Sequence, residues 1–204
     1  MSVSDLADRI DRITRRLVML EDDCGEAAPE AAAVLERFET KAGVRLPEQY
    51  RAFMLSIRRL PAIVPFYGMV PPGHSADRID EPLPIADLAK PFPLVENWIW
   101  EDDPEIDFAT DDWPPRTRAK WEARAHGLLW LGTDGCALHP SLIVTGERRG
   151  EIWDFADVGL ARAEPGGSSF LDWLEHRIDA FAADKNAQSF RNKSRFPQPW
   201  WSYM

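Results

Sequence analysis

Between Gly127 and Asp154 the chain reads GLLWLGTDGCALHPSLIVTGERRGEIWD, a stretch that leaves few ways to fold. Its apolar residues come in short runs: Leu128 to Leu131, Leu142 to Thr145, and Glu151 to Phe155 just past its end. Asp134-Gly135 and the Pro140-Ser141 entry part the first two runs, and Gly146 to Gly150 parts the last two. Short β-branched or aromatic runs divided by Gly-bearing turns predict an antiparallel meander. The middle run, LIVT, has no polar position before Thr145, which predicts a strand covered on both faces. Such a sheet needs covering layers, and the strong helical patterns lie before and after it. The expected class is therefore α+β: a central, mainly antiparallel sheet with a C-terminal meander, covered by N-terminal helices and a C-terminal helix.

The helical patterns are explicit. From Ser4, read as an N-cap, Leu6, Ile10, Ile13, Leu17 and Leu20 recur at helical spacing up to a stop at Cys24-Gly25. A second helix is predicted from Pro29 to Ala42, with Pro29 in its first turn and Gly43 as the left-handed terminator. Leu46-Pro47-Glu48 opens a third, carrying Tyr50, Phe53, Met54 and Ile57 on one face. Ser168 is read as the cap of a final helix with Phe170, Leu171, Leu174, Ile178 and Phe181 on its apolar side. A shorter helix fits within Trp113 to Ala125. Residues 61 to 95 are rich in proline and predict loops and edge strands, the best strand candidates being Phe66 to Val70 and Phe92 to Val95. The expected organisation is an N-terminal helical extension over 1–26, one α+β domain over 27–184, and a basic, aromatic, loosely ordered tail over 185–204.

Composition excludes several functions. A net charge of −10 over 204 residues opposes nucleic-acid binding, because neutralising phosphates takes Lys and Arg. No apolar run is long enough to span a bilayer, and Asp5, Asp8, Arg9 and Asp11 do not suit a signal peptide. Cys24 and Cys136, the two cysteines, make no disulfide framework, so a reducing, cytoplasmic setting is expected. The four histidines form no metal-binding spacing, and no Gly-rich phosphate loop is present, so no cofactor is expected. Cys136 near His139 and Asp134 invites a thiol-nucleophile reading. A small residue entering a strand after an Asp-Gly turn is the commoner explanation, and catalysis is not expected.

The candidate site is the acidic segment from Glu96 to Asp112, which contains no Lys or Arg. Three readings stay open for it: a solvated loop with core-facing aromatics, a partner surface, or a calcium site, although its spacing is not that of an EF-hand. The partner-surface reading assigns binding to Trp98, Trp100, Glu101, Asp102, Asp103, Glu105, Asp107, Asp111 and Asp112. In that reading an exposed Trp98 or Trp100 supplies the anchor, and the carboxylates steer a basic protein partner.

An ordered set of signatures completes the picture: FETKAGVRLPEQYRAFML, then YGMVPP, PFPL, the Trp-rich segment, the Gly-Cys pair in TDGCALHPSLIVTGERRGEIWDF, and FLDWLEHRI. Over roughly Pro29 to Phe181 the chain resembles the SUKH superfamily. That family takes in fungal cell-wall-assembly regulators and many bacterial immunity proteins paired with secreted toxins. After the Leu-Pro helix the family often has a Gly-rich turn where this chain has RRLPAIVPF, and the first helix and the tail have no counterpart. The resemblance implies an α+β domain that acts by binding, with no common catalytic residues. The function expected from it is an immunity protein that neutralises a cognate polymorphic toxin by direct contact. The alternative is an intracellular regulatory module with another protein partner.

Overall fold

The computed structural model describes residues 2–20, 24–63, 68–74, 85–110, 112–135, 137–163, 168–183 and 198–204. Helix α1 spans Val3–Met19. Its cap is Ser2 rather than Ser4, because Asp5 lies three residues on and closes a capping box. The Ser2 hydroxyl accepts from the Asp5 N–H at 3.2 Å, and the Asp5 carboxylate accepts from the Ser2 N–H at 2.9 Å. Helix α2, Pro29–Ala42, starts on proline and ends at Gly43 with φ 67°, as the sequence predicts. Its Glu39 is buried and accepts from the Leu46 N–H at 2.9 Å and the Arg51 guanidinium at 3.3 Å, which fixes the link to α3, Glu48–Met54. Tyr50, Phe53, Met54 and Ile57 are all fully buried.

Among the described residues five strands follow: β1 Trp98–Ile99, β2 Leu128–Trp130, β3 His139–Ile143, β4 Ile152–Ala156 and β5 Gly159–Arg162, with helix α4, Pro115–Ala123, between β1 and β2. Helix α5, Phe170–Ala183, closes the described core. Its first turn is served by Ser169, not Ser168: Asp172 accepts from both the Ser169 hydroxyl at 2.6 Å and its N–H at 3.3 Å. The sheet is antiparallel throughout, in the order β1-β5-β4-β3-β2. All five positions of β3 are buried, so it is covered on both faces, though it begins at His139 and not at Leu142.

Register divides the side chains between two cores. Leu129, Leu142 and Ile152 point to one face and join α1, α2, α3 and α5 in the larger core. Leu128, Ile143, Trp153 and Leu160 point to the other, where Phe92, Leu94, Trp98 and Trp100 cover them. Helix α1, expected as an extension, places Leu6, Ile10, Ile13 and Leu17 in the larger core. It also ties to α5 through Arg9, which reaches Asp172 at 2.5 Å and Glu175 at 2.7 Å, and through an Arg16–Asp179 pair.

The proline-rich region departs from expectation. Phe66 and Tyr67 lie outside the described residues, and Gly68 to Val70 form no strand, although the Val70 N–H meets the Leu131 carbonyl at 3.0 Å. Phe92 to Val95 form none either. Pro91 and Pro93 have no N–H to give a ladder, and Phe92 alone bonds across, to the Thr145 carbonyl at 2.9 Å. The expectation of a loosely ordered tail also fails at its end. Trp200–Tyr203 form a 3₁₀ turn, and Trp200 is fully buried, because its indole finds both apolar cover and two carbonyl acceptors, Met54 at the end of α3 and Ile57 just beyond it.

Gly127 holds the smaller core together, with φ at +63° and a Cβ position 2.7 Å from the Thr145 oxygen and 2.9 Å from the Lys90 oxygen. Backbone on both sides cannot yield, so Gly127→Ala is expected to cost about 2–3 kcal/mol, measured by denaturant unfolding. A variant as stable as the parent would show that the 90–92 strap is not seated on this turn.

Candidate binding surface

The acidic segment is folded by its own charges. Trp98 and Trp100 alternate inward on either side of Ile99, because β1 pairs with β5 in the register Trp98↔Leu160. Trp98 is 6% and Trp100 2% exposed, which corrects the expectation that one of them is a surface anchor. Their rings form a T-shaped ladder with Trp121 of α4: Trp98 to Trp100 at 5.5 Å and Trp100 to Trp121 at 5.1 Å. Each indole N–H is satisfied, Trp98 donating to Asp103 at 2.8 Å and Trp100 to the Asp157 carbonyl at 2.5 Å.

Three of the carboxylates build the loop. Asp103 accepts from Trp98 and, through its other oxygen, from the Glu105 N–H at 3.0 Å. Glu105 pairs with Arg116 of α4 and accepts from Thr117, and the Arg116 hydrogen bond first, then Thr117, hold its carboxyl below the usual range. Asp107 accepts from the Ala109 N–H and the Thr110 hydroxyl, both at 2.9 Å, and these bonds lower its carboxyl likewise. Lys120 sits 3.9 Å above the Trp98 ring, its ammonium pKa lowered by burial. A segment with no cation of its own thus borrows two from the helix that follows.

Glu101, Asp102, Asp107 and Asp112 are the expected site residues that are exposed, Asp107 while bonded within the loop, and Asp111 lies outside the described residues. The Glu101 N–H approaches the Val158 carbonyl at 3.3 Å, which sets the 101–102 turn beside the β4–β5 turn. Asp157 and Val158 in that turn are exposed, as is Ile99 on the outer side of β1. Among the described residues the most exposed aromatic is Phe108, at 59%, standing edge-on to Trp113 and Trp121 at 5.4 and 5.5 Å. Phe108, Ile99, Val158 and Asp157 were not foreseen. Alternation in the run WIW was the signal for Ile99. Among the described residues, no three acidic, His or Cys side chains converge as metal ligands.

Cys136 lies outside the described residues. His139 is buried and stacked on Trp130 at 4.2 Å and 10°, and Asp134 is engaged with Arg177 of α5.

The molecule is thus an α+β domain with a five-stranded antiparallel sheet and an edge framed by carboxylates and a few bare apolar side chains. No family model matches the chain, and neither a curated protein nor a solved structure does. No helix among the described residues is long and apolar enough to cross a membrane.

Proposed function

We propose that this chain is a non-catalytic protein-binding domain acting as an immunity protein, which neutralises a cognate toxin by covering it with the β1 edge. One observation carries the binding reading. Ile99 and Val158 lie bare beside the turns that present Glu101, Asp102 and Asp157 to solvent, and Phe108 lies bare at the outer end of the Trp ladder, against Trp121. Apolar anchors inside a charged rim are the arrangement of a protein interface, and the sign of the rim selects a basic partner. The resemblance to the SUKH superfamily is the ground for making that partner a toxin.

The test is binding kinetics against the toxin domain encoded beside this chain's gene, at two ionic strengths. Replacing Glu101 and Asp102 together by Gln and Asn is expected to slow association about 3- to 10-fold at low salt and flatten its salt dependence, because rim charges steer encounter. Phe108→Ala is expected to speed dissociation by about tenfold with association little changed, because anchors act through residence time. Unchanged association in the double variant moves the binding face elsewhere, and no binding by the parent chain removes the immunity reading.

A further inference from the structure

A groove of about 640 Å³ runs along α1, and none of the residues that line it belongs to the β1 edge. Val3, Ala7, Thr14 and Val18 form one of its walls, and at about 3.6 residues per turn they make a single strip along the helix. The strip lies beside the stripe of Leu6, Ile10, Ile13 and Leu17, which the larger core buries. Val3 is 80% and Val18 54% exposed, so the two largest side chains of the strip stand in solvent. The Thr14 hydroxyl donates to the Asp11 carbonyl at 3.0 Å, so Thr14 brings no free donor to the groove. The opposite wall carries Gly25, Ala52 and Ser56. Small residues on both walls let a helix approach closely.

The strip is nearly the same read in either direction. Val3 and Val18 lie equally far from its middle, and so do Ala7 and Thr14. Laid end for end on it, the α1 of a second copy sets Val against Val at both ends and Ala against Thr between. The charges obey the same symmetry. Asp5 is taken by the Ser2 cap, Arg9 by Asp172 and Glu175, and Arg16 by Asp179. The exposed charges left in the middle of α1 are, in order, Asp8, Asp11, Arg12 and Arg15. We propose that two copies of this chain pair their α1 helices antiparallel about a two-fold axis, each helix filling the other's groove.

Orientation follows from charge. Asp8 and Arg15 lie together on the solvent side of the strip, so antiparallel pairing brings Asp8 of each copy to Arg15 of the other. Parallel pairing would instead set Asp8 on Asp8 and Arg15 on Arg15, which repels. Arg15 is already held by Asp11 of its own helix, so in the pair each guanidinium stands between two carboxylates. A two-fold contact is self-complementary, and every favourable pair in it occurs twice. Ile99, Glu101, Asp102 and Val158 lie outside this contact, so the pairing does not rest on the function proposed for the β1 edge.

Sedimentation velocity of the full chain tests it, and should show a dimer whose fraction rises with concentration. Ala7→Arg, at an exposed position near the middle of the strip, should give a monomer with its helix content kept by circular dichroism. Charge exchange reads the orientation. Asp8→Arg sets Arg against Arg, and Arg15→Asp sets Asp against Asp, so each variant alone should self-associate about tenfold more weakly than the parent. Mixed together, the two should form a heterodimer, because both contacts then join Arg to Asp. A dimer indifferent to Ala7→Arg, or a mixture no more associated than its components, overturns the pairing. So does a parent that stays monomeric at its highest soluble concentration. In that event a lower melting point in Ala7→Arg gives the groove to another part of the same chain, and an unchanged one gives it to a different protein. Should Arg15→Asp fail to fold, the parent and Ala7→Arg still decide the matter.

Discussion

Trp200→Ala is expected to remove about 3–5 kcal/mol of stability, the range of a buried aromatic cut back to a methyl group. The side chain is fully buried, and its indole N–H donates to the Met54 carbonyl at 3.1 Å and the Ile57 carbonyl at 3.0 Å. The Met54 oxygen lies at the C-terminal end of α3, where a helix has carbonyls to spare, and the Ile57 oxygen lies three residues beyond it. Its own N–H donates to the Arg58 carbonyl at 3.0 Å, and the Arg58 and Arg59 N–H groups return to the Cys24 carbonyl. The tail thus joins α3 to the segment that enters α2. For a domain whose total stability is on the order of 5–15 kcal/mol, the loss is a large share. Removing residues 198–204 should cost as much, whereas Trp201→Ala, half exposed, should cost far less. A Trp200→Ala melting point within a degree or two of the parent would detach the tail from the core.

The tail shows where local pattern stops being informative. Its anchor lies 146 and 143 residues from the carbonyls it meets, and a single Trp in a 3₁₀ turn has no period to detect. Helices α2 and α3 were legible because each carries its own boundary, Pro29 and Gly43 for one and the Leu-Pro entry for the other. The shift of the α1 cap from Ser4 to Ser2 turns on one side chain, Asp5, placed to answer Ser2 and not Ser4. Strands β3 and β4 were legible from apolar runs set between turns. β5, reading GLAR, has no β-branched residue and only one large apolar one, and β1 is two residues long, so neither rises above its surroundings.

In the acidic segment the sequence showed composition but not employment. Eight carboxylates from Glu96 to Asp112 look alike in a string. In the fold Asp103, Glu105 and Asp107 serve the loop, each tied to a group within reach in sequence or on α4. Glu101 and Asp102 have no such partner among the described residues, because the turn that carries them faces the β4–β5 turn backbone and then solvent. That division depends on the placement of Arg116, Thr117 and Lys120, fixed only when α4 folds back over the Trp ladder. The residues that build the loop and those left exposed are therefore different residues of one segment.

Trp100→Ala separates these roles by experiment, and it is expected to destabilise the domain by about 3–5 kcal/mol instead of merely loosening a partner. Trp100 lies between Trp98, Trp121 and Phe155, with ring centroids 5.5, 5.1 and 5.8 Å away. Each such aromatic pair adds about 0.5–1.5 kcal/mol beyond the area it buries. The indole also holds the Asp157 carbonyl, so its loss leaves that turn and the 101–102 turn without their shared support. Urea unfolding gives the first readout, and partner kinetics measured on the folded fraction give the second. Phe108→Ala, exposed on the same ladder, should do the reverse, with the melting point nearly kept and dissociation faster. A Trp100→Ala chain that melts with the parent and dissociates faster would turn the ladder outward and return Trp100 to the interface.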